Sequence, residues 1–551
     1  MSTGIYINPS SSMMVTNAYF GVDNKARKIL KGYIGVDGKA RLFYEFASEV
    51  YAMLYSDGSM YFQMGNRQDA NKTLVNSYTN FINESYNSAS LVPWNSDIEN
   101  IKTVKIADNV KPSSMSYWFY TGNYITKNVY CSESVTNLCY AYYNCAQLTG
   151  APICGNNVTE MRFAYYNCRS LTGAPVCGSN VIDMTNAYKN CSNITGAPVC
   201  GVNVTNMADT YSDCDNITGL AVCGDKVTNM ANTYKNCYNL TSPICGNNVI
   251  NMWYTYSNCR KLTTPVCGNR VIVMTGAYSN CRNLTTAVCG NNVIRMINTY
   301  SECLNLTTAV CGPKVESMNN AYSNCRNLTT AVCGNNVLYM YNTYANCNVL
   351  TIAVCGNNVI NMANAYRNCY NLTTAVCGPK VESMTNAYYG CSNLTTAVCG
   401  PNVLYMHGTY QSCHNLTTAI CGDSVTSMIN AYRGCLNLTT AACGPNVESM
   451  ANAYRGCSNL TTAVCGPNVT NMENTYRGCP NIQGNTYLYN VTRAYNCFDG
   501  RNTSNRLNIY TYKTNTFINQ PITGQSLTWT QDTANNCWYN TTANIYIYTL
   551  T

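Results

Sequence analysis

The chain has 551 residues, of which 35 are Cys, 47 are Tyr and only nine are Phe. Charged residues make up 11% and the formal net charge is +8, whereas an average globular protein has roughly 25% charged residues. With so mild a charge and no Lys/Arg run, we expect no nucleic-acid partner. Such a bias toward few residue types is typical of one short unit copied many times.

The sequence shows neither the pattern of a secretion signal nor that of a membrane-spanning segment. Residues 1–12 show no basic stretch followed by an apolar one, and no apolar run reaches the length of a membrane span. We therefore expect no membrane insertion and no secretion signal. A protein made in this way and acting outside a cell would leave by lysis or on a particle assembled inside.

The first 100 residues lack the repeat described below. Tyr19–Arg27 and Tyr33–Arg41 echo one another, and each places Asp-Asn or Asp-Gly between alternating apolar residues, a strong β-hairpin signal. Residues 1–45 are therefore predicted to be a β-hairpin module. Residues 46–100, with the alternating run Val50–Gly65, are predicted to form a β-rich linker and an N-terminal cap.

Residues 101–480 repeat one apolar position at a constant interval. Steps of 23 lead from Met115 to Met230 and steps of 22 from there to Met472, with Leu138 replacing Met once. The result is seventeen repeats in strict register, which chance does not produce. Because one such unit is too small to bury its own apolar face, stacked copies are predicted to build a solenoid.

A representative unit suggests a strand followed by a helical return. Leu284–Cys289 is rich in β-branched residues and ends at Gly290, as a strand before a turn does. The following Val293, Met296 and Tyr300 have helical or 3₁₀ spacing. The predicted fold class is an α/β repeat solenoid, right-handed, with 22–23-residue leucine-rich-type repeats, a parallel sheet and small β modules at both ends.

The C-terminal part is predicted to leave this register. After Met472 only Val491–Cys497 resembles a repeat, as a shifted partial copy, and residues 498–551 are rich in Thr, Tyr, Trp and Asn. Residues 481–551 are therefore predicted to be a β cap.

The unit Val227–Leu240, VTNMANTYKNCYNL, resembles the repeats of BspA-type leucine-rich repeat surface proteins. Those units read roughly Val-x-x-Met/Ile, then Ala/Met-Phe, then Gly-Cys-x-x-Leu, and the likeness covers residues 101–480. This chain departs from the pattern by using Tyr in place of Phe, and by placing Cys289 and its equivalents where the family usually has an aliphatic residue. The resemblance implies adhesion to host surfaces.

The stretch Gly32–Glu45, GYIGVDGKARLFYE, is similar to the start of many tail and baseplate-associated proteins of phages that infect low-GC Gram-positive bacteria. BspA-type repeats are also common on virion proteins. The two resemblances imply a protein exposed on a virion surface, attached to other virion proteins through the N-terminal module. The attachment candidates are Tyr33, Asp37, Gly38 and Arg41, and a homo-oligomer stays open.

The cysteines are predicted to be reduced and structural. Zinc sites need closely spaced Cys pairs, whereas the gaps here alternate near 14 and 8 residues, so we expect neither metal nor other cofactor. Equivalent cysteines of adjacent coils, such as Cys289 and Cys311, would stack about 4.8 Å apart, with side chains that seldom suit a disulfide. We predict two buried thiol ladders that act as small hydrophobes, while the pairing of some stacked cysteines stays open.

The sequence offers no catalytic machinery. G-x-S-x-G, Walker-type and HExxH motifs are missing, and His407 and His414 occur in one repeat only. We therefore predict that the chain is not an enzyme. A glycan-cleaving site near the C-terminus would need paired carboxylates, and Asp499 and Asp532 are the two acids there.

Binding residues are predicted at three places. An alternating strand would turn Thr286 and Val288 outward in every repeat, which suits a stiff spacer or a repetitive polymer. Arginines after the Tyr position form an edge that either is merely solvated or meets anionic wall polymers, and two tryptophans near the C-terminus either stack on a sugar or fill the cap core. The candidates are Thr286, Val288, Thr308, Val310, Thr330, Val332, Arg433, Arg455, Arg477, Trp529 and Trp538.

Three functions compete at this point. The first is a phage tail-fibre or baseplate-associated protein that presents the solenoid for recognition of a host-surface glycan or protein. The second is a structural spacer or decoration protein of the particle, which the uniform repeats suit almost as well. The third is a bacterial cell-surface adhesin.

Overall fold

The computed structural model describes residues 19–22, 25–28, 31–36, 39–45, 49–127, 131–152, 154–221, 223–243 and 245–551. Two antiparallel hairpins come first, at the stretches that carry the hairpin signals. Their strands are β1 (Tyr19–Val22), β2 (Lys25–Lys28), β3 (Lys31–Val36) and β4 (Lys39–Glu45). Of the attachment candidates, Tyr33 lies in β3 and Arg41 in β4, while Asp37 and Gly38 lie outside the described residues.

A four-stranded sheet precedes the repeats. Its order is β7-β5-β6-β8, with β8 parallel to β6 and the other pairs antiparallel. Two 3₁₀ helices, Ala89–Leu91 and Asn95–Asn100, lead into β8. The strands are β5 (Val50–Tyr55), β6 (Ser59–Met64), β7 (Leu74–Tyr78) and β8 (Thr103–Ile106).

Aromatic side chains join this sheet to the first coil. The Phe62 ring of β6 stacks on Trp118 at a centroid distance of 5.1 Å, and Trp94 meets both rings edge-on. The indole N–H of Trp94 donates to the carbonyl oxygen of Trp118 at 2.6 Å. All three rings are buried, so the sheet covers apolar surface that the first coil would otherwise expose.

The coils are joined by bridges of single residues. The residue before each Met position forms a parallel bridge to its equivalent in the next coil, in an unbroken series from Ser114 to Arg493. A second, interrupted series includes Thr308 and Thr330. In the described part of the solenoid only β9 (Leu220–Ala221), β10 (Ser242–Pro243) and, before the last coil, β11 (Gly484–Tyr487) are longer than one residue. The predicted strand Leu284–Cys289 and its continuous parallel sheet are therefore wrong, because neighbouring coils pair there at no more than single residues.

The predicted helical return is also wrong, since the segment after each Met is a run of tight turns. Met296 and Tyr300 donate their backbone N–H groups to the next coil, at 2.9 and 2.8 Å, whereas Thr299 donates back within its own coil to the carbonyl of Met296 at 3.3 Å. Asn298 and Glu302, the second and sixth residues after Met, have φ of 55° and 64°. This alternation buries Met296 and Tyr300 four residues apart, and Val293, three residues before Met296, is buried as well. The three- and four-residue spacing is the same as that of one face of a helix.

Left-handed backbone recurs at these two positions in the described coils, which explains the residues found there. Asn, Asp and Gly, which tolerate positive φ, occupy most of them. Amides at the sixth position also bond between coils: Asn346 donates to Asn324 at 2.8 Å and Asn368 donates to Asn346 at 2.9 Å.

A column of aromatic rings runs through the core. It begins at Phe119, continues through the tyrosine that recurs once in each repeat and ends at Phe498, with neighbouring ring centroids 5.1–5.9 Å apart. From Tyr278 onward the tyrosine hydroxyl is fixed by the backbone of its own coil. Tyr322, for example, donates to the carbonyl of Val310 at 2.6 Å and accepts from its N–H at 3.0 Å.

The register does not fail after Met472, as the sequence suggested. Arg493 continues the bridge series, which places Ala494 at the Met position and Phe498 at the Tyr position, both buried. Asn496 and Gly500 take up the two left-handed positions, with φ of 53° and 77°. The loss of Met and Tyr concealed one more coil.

The last coil is closed by a buried arginine. Arg501 stands at the position that holds Cys479 one coil earlier, and its guanidinium donates to the carbonyls of Asn502, Asn505, Ala543 and Asn544. Burial lowers the pKa of Arg501 to about 10. These bonds tie the last coil to the segment before the final strand.

A five-stranded sheet of order β11-β12-β15-β14-β13 begins before the last coil, since its first strand precedes Ala494. Strands β11, β12 and β15 are parallel, and β14 and β13 are antiparallel to their neighbours. The α-helix of the described residues, α1 (Thr514–Asn519), connects β12 to the rest. The strands are β11 (Gly484–Tyr487), β12 (Leu507–Thr511), β13 (Thr530–Asp532), β14 (Cys537–Asn540) and β15 (Ile545–Thr549).

We predict that Tyr322→Phe destabilises the solenoid by about 1–3 kcal/mol, because it leaves a buried N–H and a buried carbonyl without their partner. Tyr188→Phe is the matched control, since the buried hydroxyl of Tyr188 has no hydrogen-bond partner in the described structure and its loss should change stability by less than about 0.5 kcal/mol. Guanidinium denaturation of both variants measures the difference. Equal shifts in the two midpoints would show that the hydroxyl contact adds nothing.

Candidate binding surfaces

The predicted outward ladder of Thr and Val is only half right. Thr286, Thr308 and Thr330 are exposed, but Val288, Val310 and Val332 are half-buried, and Val310 and Val332 pack against the core. The backbone of Val288 is bound by the Tyr300 hydroxyl. Because this segment is not a strand, inward and outward residues do not alternate, and the outer ladder consists of threonines.

All cysteines except Cys139, Cys497 and Cys537 lie in two columns of free thiols. The Cys303 column is fully buried, and each of its thiols donates to the carbonyl of an aromatic residue of the preceding coil, as Cys303 does to Tyr278 at 3.1 Å and Cys145 to Phe119 at 3.1 Å. These thiols are therefore hydrogen-bond donors and not merely small hydrophobes. The Cys289 column is half-buried except at Cys131, Cys200 and Cys223, which are buried. A Cβ added to Gly312 would lie 2.8 Å from the Cys289 sulfur, so the glycine after each such cysteine leaves room for the thiol of the neighbouring coil.

These thiols have neither the charge nor the grouping of a reactive or metal-binding site. Burial raises the pKa of Cys289 to about 12, so the thiol keeps its proton at neutral pH. Within the described ranges no three His, Cys, Asp or Glu side chains lie close enough together to hold a metal ion.

The two histidines and the two C-terminal acids do not form a catalytic group. His407 Nε2 lies 2.7 Å from the Ser427 hydroxyl, and burial lowers its pKa, whereas His414 is exposed. Asp499 pairs with Arg477 at 2.9 Å. Asp532 accepts a 2.8 Å hydrogen bond from the Asn535 amide. Each carboxylate is thus engaged in its own local contact.

The three predicted arginines form a column along three successive coils. Arg433, Arg455 and Arg477 are all the fifth residue after Met, and each directly follows a core tyrosine. The rings of these three tyrosines stack with centroids 5.5 and 5.6 Å apart, so the arginines belong to adjacent coils. Burial and the flanking Arg433 and Arg477 lower the pKa of Arg455, while Asp499 opposes them. Asp499 is the one acid paired with this column in the described structure, so the positive charge is only partly compensated.

Glycines follow the three arginines in the chain and stack on one another from coil to coil. Gly434, Gly456 and Gly478 follow the three arginines, with φ of 75°, 76° and 72°. They replace the amides that bond from coil to coil earlier in the solenoid. We call Arg433, Arg455 and Arg477 with these three glycines the arginine column.

A second surface, which sequence reasoning missed, lies on the C-terminal sheet. Trp529 and Trp538, for which sugar stacking and a place in the cap core were both left open, are half-buried and packed against the cap core. The outward positions of the three parallel strands are filled by Tyr and Asn. The sequence signal was the alternation of Tyr with buried Ile in the last strand. We call this surface the tyrosine face, and its residues are Asn485, Tyr487, Asn508, Tyr510, Tyr546 and Tyr548.

Aromatic residues also replace Asn at the left-handed position of the first three coils. Tyr117, Tyr140 and Phe163 have φ of 61°, 58° and 55°, a conformation that costs a bulky residue about 1 kcal/mol or more. Their rings stack at 4.6 and 4.7 Å. Ring stacking offsets part of this strain. The sequence signal for this arrangement, an aromatic residue at a repeat position that is mostly Asn, was not recognised in the sequence analysis.

The structure thus defines a capped solenoid of short coils held by backbone hydrogen bonds, with its sequence variation on the outward turns. Within the described ranges the helices are too short to cross a bilayer. The model of the "BspA type Leucine rich repeat region" matches residues 96–195, 208–329, 253–373, 296–407 and 384–505. The chain therefore belongs to the BspA-type leucine-rich repeat family, as its repeats predicted.

Solved structures of leucine-rich repeat proteins are similar to it only distantly. One from Bacteroides ovatus has 13% identity and a TM-score of 0.43, covering 85% of this chain and 94% of that one. One from Eubacterium ventriosum has 15% identity and a TM-score of 0.25, covering 73% and 90%. A leucine rich cell surface protein from Faecalibacterium prausnitzii has 14% identity and a TM-score of 0.23, covering 87% and 97%. Among curated proteins none matches the chain.

The thiol columns predict a loss of stability at alkaline pH. An unfolded thiol loses its proton near pH 8.5, whereas Cys289 and Cys245 in the folded chain hold theirs to about pH 12. Above pH 8.5 the unfolded state therefore binds fewer protons, and stability falls as pH rises. Because so many thiols contribute, the decline begins about one pH unit below 8.5. We expect a nearly constant Tm from pH 6 to 7 and a falling one from pH 7.5 to 9.5, before most tyrosines of the unfolded chain ionise.

Thiol titration provides the companion measurement at pH 8. Ellman's reagent should react slowly with the native chain and with all 35 thiols once guanidinium has unfolded it. Rapid reaction of the native chain, or a Tm independent of pH up to 9.5, would contradict the assignment of protonated, buried thiols.

Proposed function

We propose that the chain is a non-catalytic recognition arm that binds an anionic polymer of a bacterial surface through its arginine column. The observation that carries this proposal is the row of three guanidinium groups on successive coils with a single paired acid, Asp499. A flexible chain with regularly spaced negative groups would meet these charges in succession. Interactions of this kind contribute more through their number than through any one contact.

The geometry favours recognition over a purely structural spacer at this end of the solenoid. A spacer has no need of like charges on neighbouring coils, where Arg433 and Arg477 disfavour the charged form of Arg455. An anionic ligand would relieve this repulsion. Over the preceding coils the same fifth position is mostly uncharged, as at Ser301, Ser323 and Ala345, and its cations, Lys189, Lys235 and Arg367, never occupy two successive coils.

We also propose that the arm is mounted on a phage tail or baseplate through residues 1–45. The support is the likeness of Gly32–Glu45 to phage tail and baseplate proteins and the position of this stretch in the hairpin of β3 and β4. Membership of the BspA-type family favours the alternative of a bacterial cell-surface adhesin. The two differ in what the N-terminal hairpins attach to, and the same recognition surface serves both.

The arginine column is tested with the full chain carrying Arg433→Gln, Arg455→Gln and Arg477→Gln. We expect at least a tenfold weaker binding to intact candidate Gram-positive cells and to isolated wall teichoic acid, and binding by the unaltered chain should weaken with added salt. The control carries Arg270→Gln, Arg295→Gln and Arg326→Gln, which remove the same charge from exposed positions outside the column. Equal losses in the two triple variants would reduce the effect to net charge and overturn the site.

The mounting is tested by assembly of the full chain onto phage particles. Tyr33→Ala with Arg41→Ala should lower its incorporation at least fivefold, while Tyr19→Ala with Arg27→Ala, the matching positions of the first hairpin, should not. Incorporation of both double variants at the unaltered level would argue against attachment through the second hairpin.

A further inference from the structure

We propose that the tyrosine face of the C-terminal sheet is a second binding site, whose ligand is an uncharged saccharide chain. The proposal concerns other residues and a different ligand chemistry from the arginine column, so it stands or falls independently of the function proposed above.

Strand register sets the composition of this face. Asn485, Asn508 and Tyr546 are partners in one row across β11, β12 and β15, and Tyr487, Tyr510 and Tyr548 are partners in another. The residues between these rows, such as Ile509 and Ile547, are buried. One side of the sheet is therefore apolar core, while the outward rows contain only tyrosine and asparagine.

The tyrosine rings are held in order by one another. Tyr510 lies 5.0 Å from Tyr487 and 4.9 Å from Tyr548 between ring centroids. Tyr539 of β14 extends the other row, 5.8 Å from Tyr546. Tyr487, on the edge strand, is 47% exposed, and the neighbouring Tyr512 is 54% exposed. The face thus offers fixed ring edges and hydroxyl groups at its centre and accessible rings at its border.

Polar groups between the rings are also held in place. The Arg506 guanidinium lies 3.8 Å over the Tyr546 ring, donates to the Tyr548 hydroxyl at 3.1 Å and donates to the Asn508 side-chain oxygen at 2.9 Å. The Asn508 amide donates in turn to Asn485 at 2.8 Å. Side chains that are ordered before binding lose little conformational entropy when a ligand arrives.

The chemistry of the face favours a saccharide over other occupants. Tyrosine and arginine also occur at protein-binding hot spots, but those cluster in well-packed pockets, whereas these six residues lie in rows along the outward side of a sheet. A polyanion gains affinity from several cations, whereas Arg506 is the one basic side chain bonded into this face. A sugar ring presents C–H groups and hydroxyls on the same small unit, which matches tyrosine rings beside amide and guanidinium donors.

The site is tested by applying the labelled full chain to an array of immobilised oligosaccharides of defined structure. We expect the chain to be retained by a subset of uncharged oligosaccharides, and Tyr510→Ala and Arg506→Gln should each lower that retention at least tenfold. Tyr405→Ala is the matched control, because Tyr405 is an exposed solenoid tyrosine, and it should leave retention unchanged. Guanidinium denaturation checks that the variants stay folded, and Tyr548→Phe, which removes only a hydroxyl, provides a milder second variant with an expected threefold loss.

Three results would overturn the proposal. They are no retention of the unaltered chain by any uncharged oligosaccharide, the same loss in Tyr405→Ala as in Tyr510→Ala, and undiminished retention in both Arg506→Gln and Tyr548→Phe. The triple glutamine variant of the arginine column separates the two sites. It should keep its oligosaccharide retention while losing its binding to teichoic acid, and the reverse pattern should appear in Tyr510→Ala.

Discussion

The structure depends on backbone hydrogen bonds between neighbouring coils. After each Met position, every second N–H is donated to a carbonyl of the next coil, as for Met296, Asn298 and Tyr300, and the N–H groups between them close turns within the coil. This pattern requires left-handed backbone at two positions per coil, which explains the recurrence of Asn and Gly. It also brings successive coils so close that the glycine after each half-buried cysteine has no room for a side chain.

The core is a set of columns, because each coil repeats the contacts of the one before. The aromatic column has no break from Phe119 to Phe498, the buried thiols donate to carbonyls of aromatic residues of the preceding coil, and Thr299 donates in the same way to Met274 at 2.9 Å. In the columns of thiols and threonines a buried polar group forms the same hydrogen bond to the preceding coil wherever it recurs. A repeat of this kind needs few charges, since neutral amides, hydroxyls and thiols meet their partners in the next copy.

The residues proposed to bind ligands lie outside the core columns of aromatic rings, thiols and hydroxyls. The fifth residue after Met carries arginine on three successive coils, where glycine has replaced the amide next to it. The C-terminal sheet lies beyond the repeat and places tyrosine and asparagine on an outward face. The two surfaces differ in charge, which supports the assignment of an anionic polymer to one and an uncharged saccharide to the other.

By itself, the sequence determined the repeat, its register, the family and the inward positions of Val, Met, Tyr, Cys and Leu, because a periodic core leaves a periodic apolar pattern. It did not reveal the shape of the coil, since the three- and four-residue spacing of Val293, Met296 and Tyr300 fits a helix as well as a run of tight turns with two left-handed residues per coil. Only the hydrogen bonds between coils, which join residues about 22 positions apart, decide between the two. The last coil was missed because Ala494 and Phe498 fill the places of Met and Tyr, and the tyrosine face was missed because its rows form only when three distant strands pair in one register.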